Sequence, residues 1–255
     1  MISHHSSYHG ATLGALALTG YTPLASAFDP MMRPMPKIPD PRAYLDHLDA
    51  NDEATGHYYA DMLEDRILAE GPETVLAFIV ELVGDASTGA LVPPASYMKR
   101  IREICTKYGV LLIHDEVMSG GGRTGKFFAA EHWNLAPDIL TISKDFTAGY
   151  VPLGAMVARN DIVENVLDMG DFLHGYTYAG NPLACAVGLA VLDKIERKGM
   201  MDNATKVGAE LKAGLQGLME LHKIIGDVRG IDLFLAFELV SNRKTLKPLP
   251  RNLNA

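Results

Sequence analysis

Two apolar runs of the sequence end directly in charged side chains that could carry out chemistry together. Residues 110–114 (VLLIH) lead into Asp115, and residues 139–143 (ILTIS) lead into Lys144. Ligands of an open parallel sheet bind at the carboxyl ends of its strands, so a carboxylate and an amine at neighbouring strand ends are candidates for a catalytic pair. A structural ion pair or two exposed loop charges would leave the same pattern. The residue types alone leave catalysis and structure open.

Two other motifs suggest ligands but are incomplete. Residues 120–126 (GGGRTGK) fit the phosphate-loop pattern G-x-x-x-x-G-K, yet Phe127 stands where Ser or Thr would bind magnesium. Nucleotide binding is therefore a remote alternative, and a glycine-rich turn is the simpler interpretation. His4, His5 and His9 suggest a metal cluster, but no nearby acidic residue completes the ligand set, so no metal site is predicted.

These side chains require a sheet to hold them, and short apolar runs alternate with helix-period segments along the chain. Strands buried on both faces, as parallel strands are, are predicted at residues 75–80, 110–113, 139–142 and 153–157. Apolar side chains also form one stripe of a predicted amphipathic helix over residues 97–108. Residues 23–41 contain six prolines and are predicted to form an irregular loop. The alternation predicts an α/β fold with a mostly parallel sheet flanked by helices.

The pattern of the chain changes after Pro182. Apolar side chains at helical spacing predict two helices, and two further strands are predicted at residues 224–228 and 233–240. Together these elements predict the start of a small α+β domain at the C-terminus. The predicted division is a large ligand-binding domain over residues 1–183, followed over residues 184–255 by connecting helices and the beginning of the small domain.

Composition and charge exclude several function classes. The 255 residues carry a formal net charge of −8, from 31 acidic against 23 basic side chains, which argues against a nucleic-acid partner. The two cysteines, Cys105 and Cys185, predict no disulfide framework and fit a reducing cytoplasm. The longest apolar stretch, residues 183–192, is about half of the ~20 residues that a bilayer requires, so no membrane span is expected. Residues 13–18 imitate a signal peptide without its Lys or Arg, so secretion is not expected.

Several motifs, in one order and with plausible spacing, resemble the class III aminotransferases, which are fold-type I enzymes dependent on pyridoxal phosphate. The motifs are residues 7–12 (SYHGAT) with Thr19-Gly20, residues 113–117 (IHDEV), residues 122–125 (GRTG), residues 137–144 (PDILTISK) and residues 175–183 (GYTYAGNPL). The resemblance extends from about residue 6 to residue 240 and is closest to the branch that uses ω-amines or β-amino acids with pyruvate-like acceptors. It implies the large domain of the fold-type I transferases, with pyridoxal 5'-phosphate as cofactor.

By this resemblance, Lys144 is the lysine that forms a Schiff base with the cofactor, and Asp115 is the carboxylate that faces its pyridine nitrogen. A lysine attacks an aldehyde only as the free amine, and the amine displaced by substrate can then move a proton as general base and acid. A carboxylate beside the pyridine nitrogen favours the protonated ring, which acts as an electron sink. The implied activity is transfer of an amino group from an amine or amino acid to a 2-oxo acid.

The resemblance also assigns residues around the cofactor. It implies that Tyr8 stacks on one face of the ring, that Val117 presses on the other face, and that His9 is a further contact. Thr177 resembles the threonine that reaches the cofactor phosphate of the neighbouring subunit, which implies a homodimer. Glu81 corresponds to a glutamate near the substrate.

The sequence also departs from the family pattern. A Gly-Ser turn that holds the cofactor phosphate is expected before residues 7–12, and more of a small domain, often with a substrate-binding arginine, is expected after the end. We therefore expect both domains to be incomplete, the chain to be a fragment, and cofactor binding and turnover to be weak. Asp145 replaces the glycine expected after Lys144, and its carboxylate disfavours an anionic cofactor unless it points away. A non-catalytic homologue that acts as a binding or assembly partner is the alternative.

Overall fold

The computed structural model describes residues 1–250 and has a four-stranded sheet at its centre. The strands are β1 (Ser3–His4), β2 (Lys37–Ile38), β3 (Ala77–Glu81), β4 (Leu111–Asp115), β5 (Ile139–Ile142), β6 (Ala155–Ala158), β7 (Ile225–Ile231), β8 (Phe234–Asn242) and β9 (Lys247–Pro248). The α-helices are α1 (Leu13–Leu18), α2 (Thr22–Ala25), α3 (Glu53–Glu70), α4 (Tyr97–Tyr108), α5 (Asn160–Asp168), α6 (Pro182–Arg197) and α7 (Met200–Leu221). Short 3-10 helices lie at Ser26–Met31, Pro72–Thr74, Ala129–Trp133 and Lys144–Phe146.

The central sheet has the strand order β3-β4-β5-β6, and its first three strands are parallel, as predicted. Glu81 pairs with Asp115, and Asp115 pairs with Thr141, so these strands end close together. Parallel neighbours need a crossover connection, and α4 supplies it between β3 and β4. The sheet therefore brings side chains that are distant in sequence to one edge.

The prediction of a parallel, buried strand at residues 153–157 is wrong in direction and in burial. The strand found there, β6, pairs antiparallel with β5, and its Met156 and Val157 are 57 % and 51 % exposed. The connection at residues 143–154 contains a short 3-10 turn and no crossover helix, so the chain returns beside β5 in the opposite direction. The predicted burial is found along most of β3 and β4, whereas β5 is only half-buried.

The main hydrophobic core joins β3 and β4 to the helices α3 and α4. Helix α4 covers residues 97–108, as predicted. Helix α3 was not predicted from the sequence. Its buried Tyr59, Leu63 and Ile67 recur every four residues, and the side chain of Asp52 caps its first turn. Charged and polar residues between these apolar positions obscure the stripe in the sequence.

The N-terminal segment lies beside β3. Ile2 N donates to Ala77 O at 2.9 Å, and Ile79 N donates to Ile2 O at 3.0 Å, in a parallel bridge. The predicted irregular loop at residues 23–41 is more ordered than expected, because it contains a 3-10 helix and β2, which pairs parallel with β1. The buried Ile38 anchors this pair, which a count of prolines does not reveal. The segment that follows β1 is thus carried to the carboxyl end of β3.

The C-terminal part confirms the two predicted helices, α6 and α7, and the two predicted strands, β7 and β8, which form an antiparallel sheet with β9. Arg229 on β7 ties this sheet to the rest of the chain. Its Nε donates to Gly89 O at 2.7 Å, and its guanidinium lies 4.4 Å from the ring centre of Tyr44. The division into domains at residue 183 stays a prediction. Within residues 1–250, no helix is long and apolar enough to cross a bilayer.

His114 on β4 is a source of instability in acid. Its side chain is fully buried, and neither ring nitrogen has a hydrogen-bond partner among the described residues. Burial, assisted by the positive charge of Arg102, lowers the pKa of His114 to about 4. Because this value lies below the ordinary pKa of about 6.5, the unfolded chain binds the proton more tightly. The free energy of unfolding therefore falls as the pH drops from about 6.5 towards 4.

We expect His114→Phe to raise the free energy of unfolding at pH 7 by about 1 kcal/mol, because a ring of similar shape replaces two unsatisfied polar atoms. The variant should also lose less stability between pH 7 and pH 5. Burial likewise lowers the pKa of His4 to about 4, so part of the acid sensitivity will remain. Urea denaturation at both pH values measures the two effects. A less stable variant with unchanged pH dependence would contradict this interpretation.

Candidate active site

The carboxyl ends of the parallel strands meet at one cavity of about 190 Å³. Strand β3 ends at Glu81, β4 ends at Asp115, and Lys144 follows β5 by two residues. Six of the seven residues singled out from the sequence line this cavity: Tyr8, His9, Glu81, Asp115, Val117 and Lys144. Side chains from four separate parts of the chain therefore share one site, where the strand-end rule predicts a ligand.

Asp115 is buried, and both of its carboxylate oxygens accept hydrogen bonds. Val117 N donates to Oδ1 at 3.1 Å, and His9 Nδ1 donates to Oδ2 at 2.9 Å. The His9 side chain is 1 % exposed, and its Nε2 has no hydrogen-bond partner among the described residues. An imidazole that donates through Nδ1 is held in one tautomer and one orientation, and it holds the carboxylate in turn. Asp115 is thus fixed in the cavity wall, where its negative charge can meet a cationic group.

Lys144 lies at a sharp change in backbone direction. Its φ is +47°, in the left-handed region that costs a non-glycine residue roughly 1–2 kcal/mol. The preceding Ser143 is extended, and its Oγ donates to Leu153 O at 2.8 Å. A 3-10 turn then begins, in which Thr147 N donates to Lys144 O at 3.2 Å. A strained backbone conformation persists only where the surrounding structure imposes it, and residues of this kind cluster at functional sites.

Two further carboxylates, those of Glu81 and Asp85, belong to the cavity wall, and sequence reasoning missed Asp85. Tyr8 N donates to Glu81 Oε2 at 3.4 Å, while Ser87 N and Oγ both donate to Asp85 Oδ1 at 2.8 Å. Burial, together with repulsion from Asp85 and Asp115, raises the pKa of Glu81 well above its usual range. Glu81 therefore holds its proton more tightly than an exposed glutamate does. Asp85 lies in the loop that leaves β3, so the strand-end rule could have found it.

Tyr8 and Val117 supply the aromatic and aliphatic surfaces of the cavity. Tyr8 belongs to the segment after β1, and Val117 follows Asp115 by two residues. Thr177 does not line the cavity, since it lies in the exposed segment between α5 and α6. Its contact with the cofactor of a second subunit stays a prediction.

The glycine-rich segment at residues 120–126 is a closed turn. Gly120 N donates to Glu116 O at 2.9 Å, and Gly121 N donates to Phe127 O at 2.8 Å. Backbone amides that hold a phosphate must point at the phosphate, whereas these two amides donate to carbonyl oxygens of the chain. The geometry of the turn therefore disfavours the nucleotide-binding alternative.

The three N-terminal histidines have different surroundings. The ring of His4 is buried and its Nε2 is 2.8 Å from Tyr97 Oη, whereas His5 is exposed and His9 bonds to Asp115. In the part of the chain that the structure describes, no group of three or more His, Cys, Asp or Glu side chains is arranged to hold a metal ion.

Asp145 forms an ion pair with Arg123, to which sequence reasoning assigned no role of its own. Arg123 Nη2 donates to both carboxylate oxygens at 2.7 Å, and Nε donates to Oδ2 at 3.1 Å. This two-point contact matches the planes of the two groups and neutralises the carboxylate. The charge of Asp145 therefore no longer argues against an anionic cofactor.

The residues of the cavity fit the chemistry of pyridoxal phosphate. Lys144 offers an amine for the aldehyde, and Asp115 offers a buried carboxylate for the ring nitrogen. Nε2 of His9 is buried and has no hydrogen-bond partner among the described residues, so one polar atom next to Asp115 is left for a ligand. Tyr8 and Val117 provide the flat and aliphatic surfaces that an aromatic ring requires.

Comparisons with known proteins agree with this chemistry. The family model "Aminotransferase class-III" matches residues 1–253. The chain is 41 % identical over 248 residues to the taurine–pyruvate aminotransferase of Bilophila wadsworthia, covering 95 % of this chain and 54 % of the relative. It is 38 % identical over 248 residues to the putrescine–pyruvate aminotransferase of Pseudomonas aeruginosa, covering 96 % and 54 %. A solved amine transaminase from an uncultivated Pseudomonas species, in its pyridoxal-phosphate-bound form, matches with a TM-score of 0.93 at 38 % identity, over 98 % of this chain and 57 % of that chain.

The chain belongs to the class III aminotransferase family. The family depends on pyridoxal phosphate, and the α/β fold matches that of solved fold-type I transaminases. The predictions of family, fold class and cofactor are therefore confirmed. The chain spans about half the length of the curated relatives that it matches.

Glu116 anchors the loop that carries Val117 away from β4. Its side chain is fully buried, and its carboxylate accepts from Ala130 N at 2.8 Å, from Ala129 N at 3.0 Å and from Ser119 Oγ at 2.5 Å. Burial raises the pKa of Glu116. The side chain thus closes the loop at residues 116–130 by satisfying two buried backbone donors.

We expect Glu116→Ala to lower the free energy of unfolding by about 3 kcal/mol, because each buried donor left without an acceptor costs ~1–3 kcal/mol. The matched control is Glu210→Ala on an exposed position of α7, which should change stability by less than about 0.5 kcal/mol. Chemical denaturation of both variants at pH 7 makes the comparison. Equal, small losses in the two variants would show that Glu116 does not anchor the loop.

Proposed function

We propose that this chain forms the cofactor-binding and catalytic part of a pyridoxal-phosphate-dependent transaminase. The observation that carries the proposal is that Lys144 and Asp115, from the ends of adjacent strands, line one cavity together with Tyr8 and Val117. Pyridoxal phosphate, when bound, supplies an aldehyde for amines and a protonated ring that withdraws electrons.

The side chains of the cavity divide the chemical work. Nζ of Lys144 acts first as a nucleophile in its free-amine form. Once the substrate amine has taken its place, the freed Nζ would act as general base and then as general acid, taking the proton from the substrate carbon that bears the nitrogen and delivering it to the cofactor carbon that carried the aldehyde. Asp115 would stabilise positive charge at the pyridine nitrogen, and its hydrogen bond to His9 would keep it in the orientation that this requires. Tyr8 and Val117, which both line the cavity, would confine the ring.

We infer that the amino donor is an amine or an amino acid and that the acceptor is a 2-oxo acid of the pyruvate type. Two of the similar proteins are named for reactions of putrescine and of taurine with pyruvate. Both donors carry the reacting amine on a terminal carbon. This supports donors of the ω-amine type and makes putrescine and taurine the first substrates to test.

The decisive prediction concerns Lys144. The chain is mixed with excess pyridoxal phosphate, reduced with borohydride and digested, and the labelled lysines are identified by mass spectrometry. We expect a visible absorbance band and a reduced adduct on Lys144, and both should be lost in Lys144→Ala because the nucleophile is gone. Putrescine or taurine, added before reduction, should displace Lys144 from the cofactor aldehyde and so lower the labelling of Lys144.

Lys206, on an exposed position of α7, is the internal control for unspecific labelling. Labelling of Lys144 no stronger than that of Lys206 would refute the proposal. Strong labelling of Lys144 that is not lowered by any amine donor added before reduction would favour the non-catalytic homologue instead.

We also infer that the chain acts as a homodimer in which Thr177 contacts the cofactor of the second subunit. The segment around Thr177 exposes large apolar side chains, since Met169 and Leu173 are both 90 % exposed and Tyr178 is 81 % exposed. Exposed apolar patches of this kind mark interaction surfaces.

Sedimentation of the purified chain should therefore give about twice its mass of 27.7 kDa. Leu173→Asp should shift the equilibrium towards the monomer by about tenfold or more, because a charge would be buried at the interface. The exposed Glu210→Ala serves again as the control. A wild-type chain that stays monomeric at micromolar concentration would contradict the inference.

A reducing, cytoplasmic location completes the proposal. Cys105 is buried and Cys185 is exposed, and both are free thiols. Burial raises the pKa of Cys105 to about 12, so this thiol is inert at neutral pH. An exposed free thiol such as that of Cys185 is typical of a reducing compartment.

A further inference from the structure

Asp145 follows Lys144 directly and forms an ion pair that the proposed catalytic steps do not use. Two nitrogens of Arg123 hold its carboxylate at 2.7 to 3.1 Å. The side chains of Asp145 and Arg123 are 26 % and 33 % exposed, so solvent screens the pair only in part. A two-point contact of this kind fixes the orientation of the carboxylate as well as its distance.

The ion pair coincides with a close approach of two backbone segments. A Cβ atom on Gly121 would lie 2.6 Å from Asp145 Cβ, and the φ of Gly121 is +84°. Only glycine permits both this backbone conformation and this distance. The absence of a side chain at Gly121 therefore lets the glycine-rich segment approach the turn that contains Asp145, and the ion pair from Arg123 joins the same segment to the same turn.

Arg123 is itself fixed on its far side. Leu233 N donates to Arg123 O at 3.3 Å, and the guanidinium carbon lies 5.8 Å from the ring centre of Phe234. Phe234 is buried in the main hydrophobic core. Arg123 is thus the anchored end of the ion pair, and Asp145 is the end that belongs to a short turn.

The turn that contains Asp145 begins with a strained residue. Lys144 has a φ of +47°, and the hydrogen bonds that close the turn, Thr147 N to Lys144 O and Ala148 N to Asp145 O, are long, at 3.2 and 3.3 Å. A non-glycine residue stays in the left-handed region only when its surroundings determine its conformation. A single 3-10 turn provides little of that constraint, so contacts outside the turn have to provide the rest.

We propose that Asp145 is a positioning residue for Lys144. Its ion pair with Arg123 holds the turn in place, keeps Lys144 in its left-handed conformation and directs the amine into the cavity. The role of the Lys144 amine in the cavity rests on the proposed function, whereas the strained φ of Lys144 and the ion pair of Asp145 are independent of it. A glycine at position 145, which the family pattern favours, would lack this tether.

The test compares Asp145→Asn with the wild-type chain in two measurements. Hydrogen exchange of the Thr147 and Ala148 amides reports on the turn without any cofactor. Borohydride trapping of pyridoxal phosphate reports on the position of the Lys144 amine. We expect exchange about tenfold faster and trapping about tenfold slower in Asp145→Asn, the size of effect that a coupled charged pair produces.

Asp193→Asn is the matched control. Asp193 makes an exposed ion pair of 2.7 Å with Arg197 on α6, so the same charge is removed from a similar pair at an exposed helix position. Neither measurement should change in this variant. A change as large as that in Asp145→Asn would show that net charge, and not position, is responsible.

Arg123→Gln and the double variant Arg123→Gln/Asp145→Asn separate positioning from a direct effect of charge. If the ion pair acts as a unit, either single variant gives the full effect and the double variant adds little. If the Asp145 charge acts on the Lys144 amine through space, Arg123→Gln leaves trapping unchanged or changes it in the opposite direction, and the proposal is overturned.

Unchanged amide exchange in Asp145→Asn also overturns the proposal, and so does faster exchange with unchanged trapping. If wild-type Lys144 is labelled no more than Lys206, the proposed function fails. The exchange result then still decides whether the ion pair holds the turn, so the two failures can be told apart.

Discussion

The buried carboxylate of Asp115 is the group around which the site is arranged. A carboxylate that has lost most of its water must be compensated by hydrogen bonds or positive charge, and here Val117 N and the imidazole of His9 provide the bonds. His9 can reach Asp115 only because β1 runs beside the central sheet and carries the following segment to the ends of the strands. The parallel register then places Glu81 next to Asp115.

The electrostatics of the cavity follow from this arrangement. Three carboxylates line one cavity, and burial together with their mutual repulsion raises the pKa of Glu81. Asp115 accepts a hydrogen bond from His9 on one oxygen and from a backbone amide on the other, so a cationic ring nitrogen would find an oriented carboxylate. A protonated ring would fit such a site, and Lys144, whose backbone is strained, lines the same cavity.

The sequence predicted the parts of the fold whose residue pattern is local. The strands β3, β4 and β5 were recognised from continuous apolar runs, although β5 proves only half-buried, and α4 was recognised from the helical period of its apolar stripe. The direction of β6 was not predicted, because it depends on the connection that precedes the strand. Helix α3 was missed because charged residues lie between its buried Tyr59, Leu63 and Ile67. The resemblance located six cavity residues, whereas the contact between Arg123 and Asp145 depends on a tertiary approach at Gly121 that a sequence pattern does not record.

The protonation state of the pyridine nitrogen is the property that Asp115 should control most directly. It can be read from the nitrogen-15 resonance of ring-labelled pyridoxal phosphate bound to the chain, in the wild type and in Asp115→Asn. With the carboxylate in place, the resonance at neutral pH should be that of a protonated ring nitrogen, and in the variant it should move to the position of the unprotonated nitrogen. The same resonance in both proteins would contradict the central claim that Asp115 faces the ring nitrogen in this cavity.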